Sequence, residues 1–189
     1  MLFSPCKYKN DNKGFSLVEL IVVVAISATM IGVMALQLSL IFSRDAESVA
    51  KTISDELTEA RMMSMTKPGN FTMTIHCGKS GGKGDTDEDN YITIKNDLTD
   101  ANKVDTKILF GARAYIGIEG ETLPRTSSGD IEITFNKVNG SVESISDGGS
   151  GYASASGAAV YKINCKAVNA DKNATVEIMT VSGRNEVVK

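Results

Sequence analysis

The chain has 189 residues, 42% hydrophobic and 23% charged, with 20 basic and 23 acidic side chains and a net charge of −3. That length accommodates one ordinary domain plus one membrane helix, and the acid excess disfavours general binding of phosphate backbones, which depends on Lys and Arg. His76 is the sole histidine and there is no C-x-x-C, so neither zinc sites of the usual spacing nor imidazole-driven catalysis finds its residues.

Residues 1–14 form a short leader that carries Lys7, Lys9 and Lys13 against Asp11. Without these three lysines and one aspartate the chain keeps 17 basic and 22 acidic residues, a net of −5. Lys13-Gly14-Phe15-Ser16-Leu17-Val18-Glu19-Leu20 then opens an apolar run to Phe42, and Glu19 is the only charge between Lys13 and Arg44. From Leu20 to Phe42 the polar interruptions are Ser27, Thr29, Gln37 and Ser39, so the run is long enough to span a bilayer as a helix. The basic leader predicts a cytoplasmic N-terminus and places everything after Phe42 on the outer face. No A-x-A-like small-residue site follows near Ser39 to Arg44, which argues against an ordinary secretory signal. A carboxylate at the edge of such a run costs about 2.5–3.5 kcal/mol on insertion scales and needs a partner.

A basic leader, then Gly14, then Phe15, with Glu19 fifth after the glycine, resembles the class III signal of type IV prepilins. The resemblance implies cleavage after Gly14 by a prepilin peptidase, N-methylation of Phe15 as the new N-terminus, and a filament-assembly role for Glu19 through the N-terminal amine of an adjacent subunit. It implies as partners other pilin or pseudopilin subunits, the cell membrane and an assembly platform protein. It implies the type IV pilin fold and incorporation into a pilus or pseudopilus; the residues themselves offer no nucleophile, base or metal set, so no catalytic residues, no cofactor and no metal are expected.

Beyond the membrane run the helical period continues. Ala46, Val49, Ala50, Ile53, Leu57, Ala60 and Ser64 recur at steps of three and four, flanked by Arg44, Asp45, Glu47, Lys51, Asp55, Glu56 and Glu59. The sequence predicts one helix over 15–66, spanning the membrane over 20–42 and roughly 78 Å long at about 1.5 Å per residue. Pro68-Gly69 stops it. In the remaining 67–189 the period changes to alternation. Strands are expected at Phe71–Cys77, Tyr91–Lys95, Ile108–Phe110, Ala114–Glu119, Ile131–Asn136, Ser141–Ile145, Val160–Cys165 and Ala174–Val181, with a short one at Glu186–Lys189. The fold class is therefore α+β: a long N-terminal helix, membrane-embedded in its first half, packed on an antiparallel β-sheet head. Val138-Asn139-Gly140-Ser141 reads as a tight hairpin turn, and Gly78–Asn90 and Asp147–Gly157 read as exposed loops.

Cys6 would leave with the leader, so Cys77 and Cys165 remain as an even pair in an oxidising compartment. Two readings stand: a disulfide closing a loop of 89 residues, worth about 4–5 kcal/mol in the chain-entropy model, or two separate buried thiols. Asp85-Thr86-Asp87-Glu88-Asp89-Asn90 invites a calcium loop, but Asn90 and Asn96 stand where an EF-hand needs Gly and Glu, which leaves two readings, a looser calcium site or a solvated acidic loop. Gly78-Lys79-Ser80 lacks the first glycine of a phosphate loop, which would fall at Met73. His76 and Cys77 are neighbours in a strand and so point to opposite faces.

The head resembles the FimT/GspH group of minor pilins and pseudopilins in the helix end Leu57-Thr58-Glu59-Ala60-Arg61 and the strand soon after it, in Phe135-Asn136-Lys137-Val138-Asn139-Gly140, and in Ser182-Gly183-Arg184. The apolar helix lacks the mid-helix proline of many pilins, leaving Gly32 as its soft point, and Glu186 stands where DNA-binding FimT proteins carry a second arginine. The resemblance implies a structural and assembly subunit of a type IV pilus, type II secretion or competence filament. The competing reading is a DNA- or surface-binding tip subunit using a basic strip of Lys162, Lys166, Lys172, Arg184 and Lys189, which Glu186 and the acidic net charge oppose.

Overall fold

The computed structural model describes residues 15–82, 86, 88–98, 106–120, 122–147, 160–169 and 171–188, without the side chains of 35–43. It divides into two compact units, Met1–Leu38 and Ser39–Lys189. One helix, α1 (Leu17–Thr66), contributes residues to both.

In the first unit, Leu17–Met34 is an 18-residue stretch of mean hydropathy 2.5 with none of its residues buried, apolar and long enough to cross a membrane. Its polar interruptions are hidden by the helix itself. Ser27 Oγ donates to the carbonyl of Val23 at 2.8 Å and Thr29 Oγ1 to that of Ile26 at 2.8 Å, so neither hydroxyl needs water. The side chains of the expected span beyond Met34 lie outside the described residues as far as Ser43.

In the second unit the stripe on α1 is buried as the period predicts: Ala46, Val49, Ala50, Ile53, Leu57, Ala60 and Ser64 are all nearly inaccessible. The helix ends where Pro68 removes a donor and Gly69 takes a φ of 96°. Asn70 then fixes the exit by giving its backbone N–H and its side-chain amide to the Asp97 carboxylate, each at 2.7 Å.

Among the described residues nine antiparallel strands follow: β1 (Phe71–Cys77), β2 (Tyr91–Asn96), β3 (Thr106–Leu109), β4 (Ala114–Ile118), β5 (Gly129–Phe135), β6 (Val142–Asp147), β7 (Val160–Ala167), β8 (Asn173–Met179) and β9 (Arg184–Val188). They form a five-stranded sheet in the order β3-β2-β1-β5-β6 and a four-stranded sheet in the order β4-β7-β8-β9. Alternation sends Phe71, Met73, Ile75 and Cys77 inward and Thr72, Thr74 and His76 outward. The helix stripe, Ile92, Ile94, Ile131 and Ile133 of the larger sheet, and Ile116, Ile163, Val176 and Ile178 of the smaller one share a single core. The architecture is α+β, as the change of period predicts.

Two expectations are corrected. The Asn139-Gly140 turn is wider than a two-residue hairpin: Asn136 N–H reaches the Ser141 carbonyl at 2.7 Å and Gly140 N–H the Asn136 carbonyl at 2.8 Å. Gly140 supplies the positive φ of 67°, while the Asn139 side chain accepts from the N–H and hydroxyl of Ser141. The second concerns the Gly78–Asn90 loop, which is not exposed at its ends. Gly78, Gly81, Gly82 and Asn90 are buried, because glycines admit backbone where a side chain would collide; a Cβ on Gly78 would sit 2.2 Å from the Glu88 carbonyl oxygen. The second loop falls almost wholly outside the described residues, but its first residue, Asp147, is a buried member of β6 that takes the Arg125 guanidinium at 2.9 Å.

Candidate functional site

The N-terminal site is built on the first turn of α1. Ser16 precedes the first helical residue, and its carbonyl accepts the Leu20 N–H at 3.1 Å. Glu19, three residues after Ser16, is the acidic residue of the first turn. The S-x-x-E spacing is that of a capping box, and a negative charge here is favoured by the positive end of the helix dipole. The Ser16-x-x-Glu19 spacing is a helix-start signal present in the sequence itself. Phe15, Glu19 and the apolar residues through Met34 are exposed on all sides. An apolar surface this continuous is out of place in water and requires a lipid or protein environment. Gly14 lies outside the described residues.

The head contains no constellation for catalysis among its described residues, and no group of three or more His, Cys, Asp or Glu that could hold a metal. His76 and Cys77 sit on opposite faces. The imidazole Nδ1 bonds the Asp130 carboxylate, and its ring stacks on its cross-strand neighbour Tyr91 with centroids 4.5 Å apart, while Cys77 is buried in the core. Lys107 in turn sits 4.3 Å above the Tyr91 ring, so this row ties β3, β2, β1 and β5 together on the outer sheet face. Asp85 and Asp87 of the acidic loop lie outside the described residues. Asp89 is engaged within the loop, accepting from Thr86 Oγ1 at 2.6 Å.

Two members of the basic strip are ion-paired among the described residues. Lys162 Nζ lies 3.4 Å from Glu119 and 3.6 Å from Glu177, and Glu119 foremost, then Glu177, raises its pKa. Lys166 pairs with Asp171 at 3.4 Å. Arg184 is exposed on β9, two residues from exposed Glu186, whose cross-strand neighbour is Glu177. Lys189 lies outside the described residues.

The three head segments named above converge on one junction. Arg61 Nε, near the end of α1, donates to the carbonyl of Gly140 at 3.0 Å, and Val142 N–H reaches the Thr180 carbonyl at 2.9 Å. A Cβ on Gly183 would fall 1.9 Å from the Gly140 carbonyl oxygen and 3.1 Å from Arg61 Nε. Helix end, β5–β6 turn and β8–β9 turn are thus clamped where only glycine fits, which explains why these residue types occur at positions so far apart in sequence.

Residues 9–35 match the prokaryotic N-terminal methylation motif. The matched stretch includes Gly14, Phe15, Ser16 and Glu19 and the start of the exposed apolar helix. This motif marks a type IV prepilin-like protein, of pilin or pseudopilin type, and is a prepilin peptidase cleavage site. The apolar helix and antiparallel sheets are consistent with the type IV pilin fold, and the one N-terminal apolar helix fits a membrane anchor. No curated protein and no solved structure matches the chain significantly.

Proposed function

We propose that the chain is a minor pilin or pseudopilin of the FimT/GspH group, a structural and assembly subunit of a type IV pilus, type II secretion or competence filament. The observation that carries this reading is the methylation motif over residues 9–35, which contains the exposed 18-residue apolar stretch Leu17–Met34. The protein enters the membrane with its leader in the cytoplasm and its head outside. A prepilin peptidase cuts between Gly14 and Phe15, and Phe15 is methylated on its new amine.

The physics of Glu19 supplies the assembly step. Cleavage creates a positive amine at Phe15, and in an apolar medium that amine and the Glu19 carboxylate of a neighbouring subunit attract far more strongly than in water. An unpaired carboxylate is penalised there, so each arriving subunit is drawn to one axial register. The reading as an assembly subunit is favoured over a DNA-binding tip subunit by the carboxylates that hold Lys162 and Lys166 and by Glu186 beside Arg184. Glu19→Ala tests it: insertion and cleavage should be retained, while the amount in sheared filaments, compared with membranes by immunoblot, should fall at least about tenfold, the effect of 1.4 kcal/mol. Equal incorporation of the variant would overturn the role of Glu19.

A further inference from the structure

Cys77 is the last residue of β1 in the five-stranded sheet, and Cys165 lies within β7 of the four-stranded sheet. Both point inward, both are fully buried, and both belong to the same core. A buried asparagine brings their neighbourhoods together. Asn90 Oδ1 accepts the N–H of Gly78, the residue after Cys77, at 2.8 Å, and Asn90 Nδ2 donates to the carbonyl of Ala114 at 2.5 Å. Ala114 opens β4, and Ile116, two residues on and on the same inner face, is the cross-strand neighbour of Cys165. Gly81 seats the loop against β4 and the residue after β7: a Cβ there would lie 2.9 Å from Tyr115 and 2.8 Å from Val168. The end of β1 is thereby strapped onto the strand that faces Cys165. In the structure the Cys77 thiol donates to the Ile75 carbonyl at 3.6 Å, and burial foremost, then the charge of Cys77, raises the Cys165 thiol pKa.

We propose that Cys77 and Cys165 are joined by a disulfide in the exported head, stapling the five-stranded sheet to the four-stranded sheet beside Asn90. This rests on the outward placement of the head proposed above. The oxidant is a disulfide-bearing thiol oxidoreductase of the outer compartment. One cysteine thiolate attacks that disulfide to give a mixed disulfide, and the second cysteine displaces the enzyme's sulfur. The S–S bond of the oxidoreductase breaks and that of the head forms; two electrons and two protons pass to the oxidoreductase, which leaves as a dithiol. Because the folded core suppresses the thiolate, the exchange takes place before the core closes, and the finished bond is then shielded from reductants.

The test uses mature protein from membranes of the native host, quenched in acid, denatured and treated with a maleimide–polyethylene glycol before and after reduction. The bond predicts no adduct before reduction and two after. Two adducts before reduction, on a head that external protease cleaves in intact cells, would overturn the disulfide while leaving the topology standing. A head that external protease does not reach would overturn the topology instead. The geometry is read independently by refolding the purified full-length chain, carrying Cys6→Ser, in a glutathione redox buffer. A Cys77–Cys165 linked peptide supports the proposal, and glutathione adducts on the two cysteines without the link overturn it.

Discussion

The helix α1 presents two different surfaces along its length. Over Leu17–Met34 its apolar residues run around every face and none is buried by the protein, whereas over Arg44–Thr66 a narrow stripe is buried and the remaining faces carry charge. The chemical difference is the count of ionisable groups: Glu19 alone in the first stretch, and Arg44, Asp45, Glu47, Lys51, Asp55, Glu56, Glu59 and Arg61 in the second. The comparison teaches that helicity says little about environment, and that the width of the apolar face says most of it.

The same substitution placed in each half separates them. Ile53→Arg puts an unpaired charge into the closed core and should cost more than about 4–5 kcal/mol, a large part of a domain's stability, so the head should lose its cooperative thermal transition. Ile26→Arg should leave that transition unchanged and instead weaken membrane retention by about 2.5–3.5 kcal/mol, on the order of a hundredfold. Membrane fractionation and circular dichroism read the two outcomes. An unfolded head from Ile26→Arg would show that the first half is core after all.

Gly183→Ala should have the next largest effect. Its φ is 63° and the added Cβ meets a backbone carbonyl rather than a movable side chain, so a loss of about 3 kcal/mol is expected in urea unfolding, at the top of the range for a strained backbone position. Gly32→Ala, in the first half, has open space around it and should leave the head unchanged.

Glu56 gives the smallest effect and the one that depends on pH. Burial, then Glu59 and Asp55, raises its pKa, so the native state holds this proton more tightly than the unfolded chain. Its destabilising contribution is full above the raised pKa, declines as pH falls through it, and is gone below the ordinary carboxylate value. Glu56→Gln should therefore raise the unfolding midpoint slightly at pH 7, by at most about 0.5 kcal/mol since the site is partly exposed. The gain should shrink as pH approaches about 4. A gain that grows on acidification would reverse the sign of the argument.

Periodicity made the fold legible. The stripe from Ala46 to Ser64 and the alternation in strands such as β1 and β8 are local patterns that burial imposes every few residues, so they survive in the sequence alone. The N-terminal methylation motif was legible for a similar reason, since it lies in one contiguous stretch, residues 9–35. What stayed hidden depends on residues that meet only after folding. Arg61 reaches Gly140 across 79 positions, and Arg125 meets Asp147 across 22. Asn90 looked like the end of a polar loop, although its amide is the buried strap between two sheets. Polar residues with a single specific partner leave no period to read.

The most direct test of the central claim is the mass of the mature chain and of its N-terminal peptide, taken from the native host. Processing as a prepilin predicts loss of residues 1–14, a first residue Phe15, and one methyl group on its amine. A mature chain that still begins at Met1, or that begins anywhere after Phe42, would contradict it.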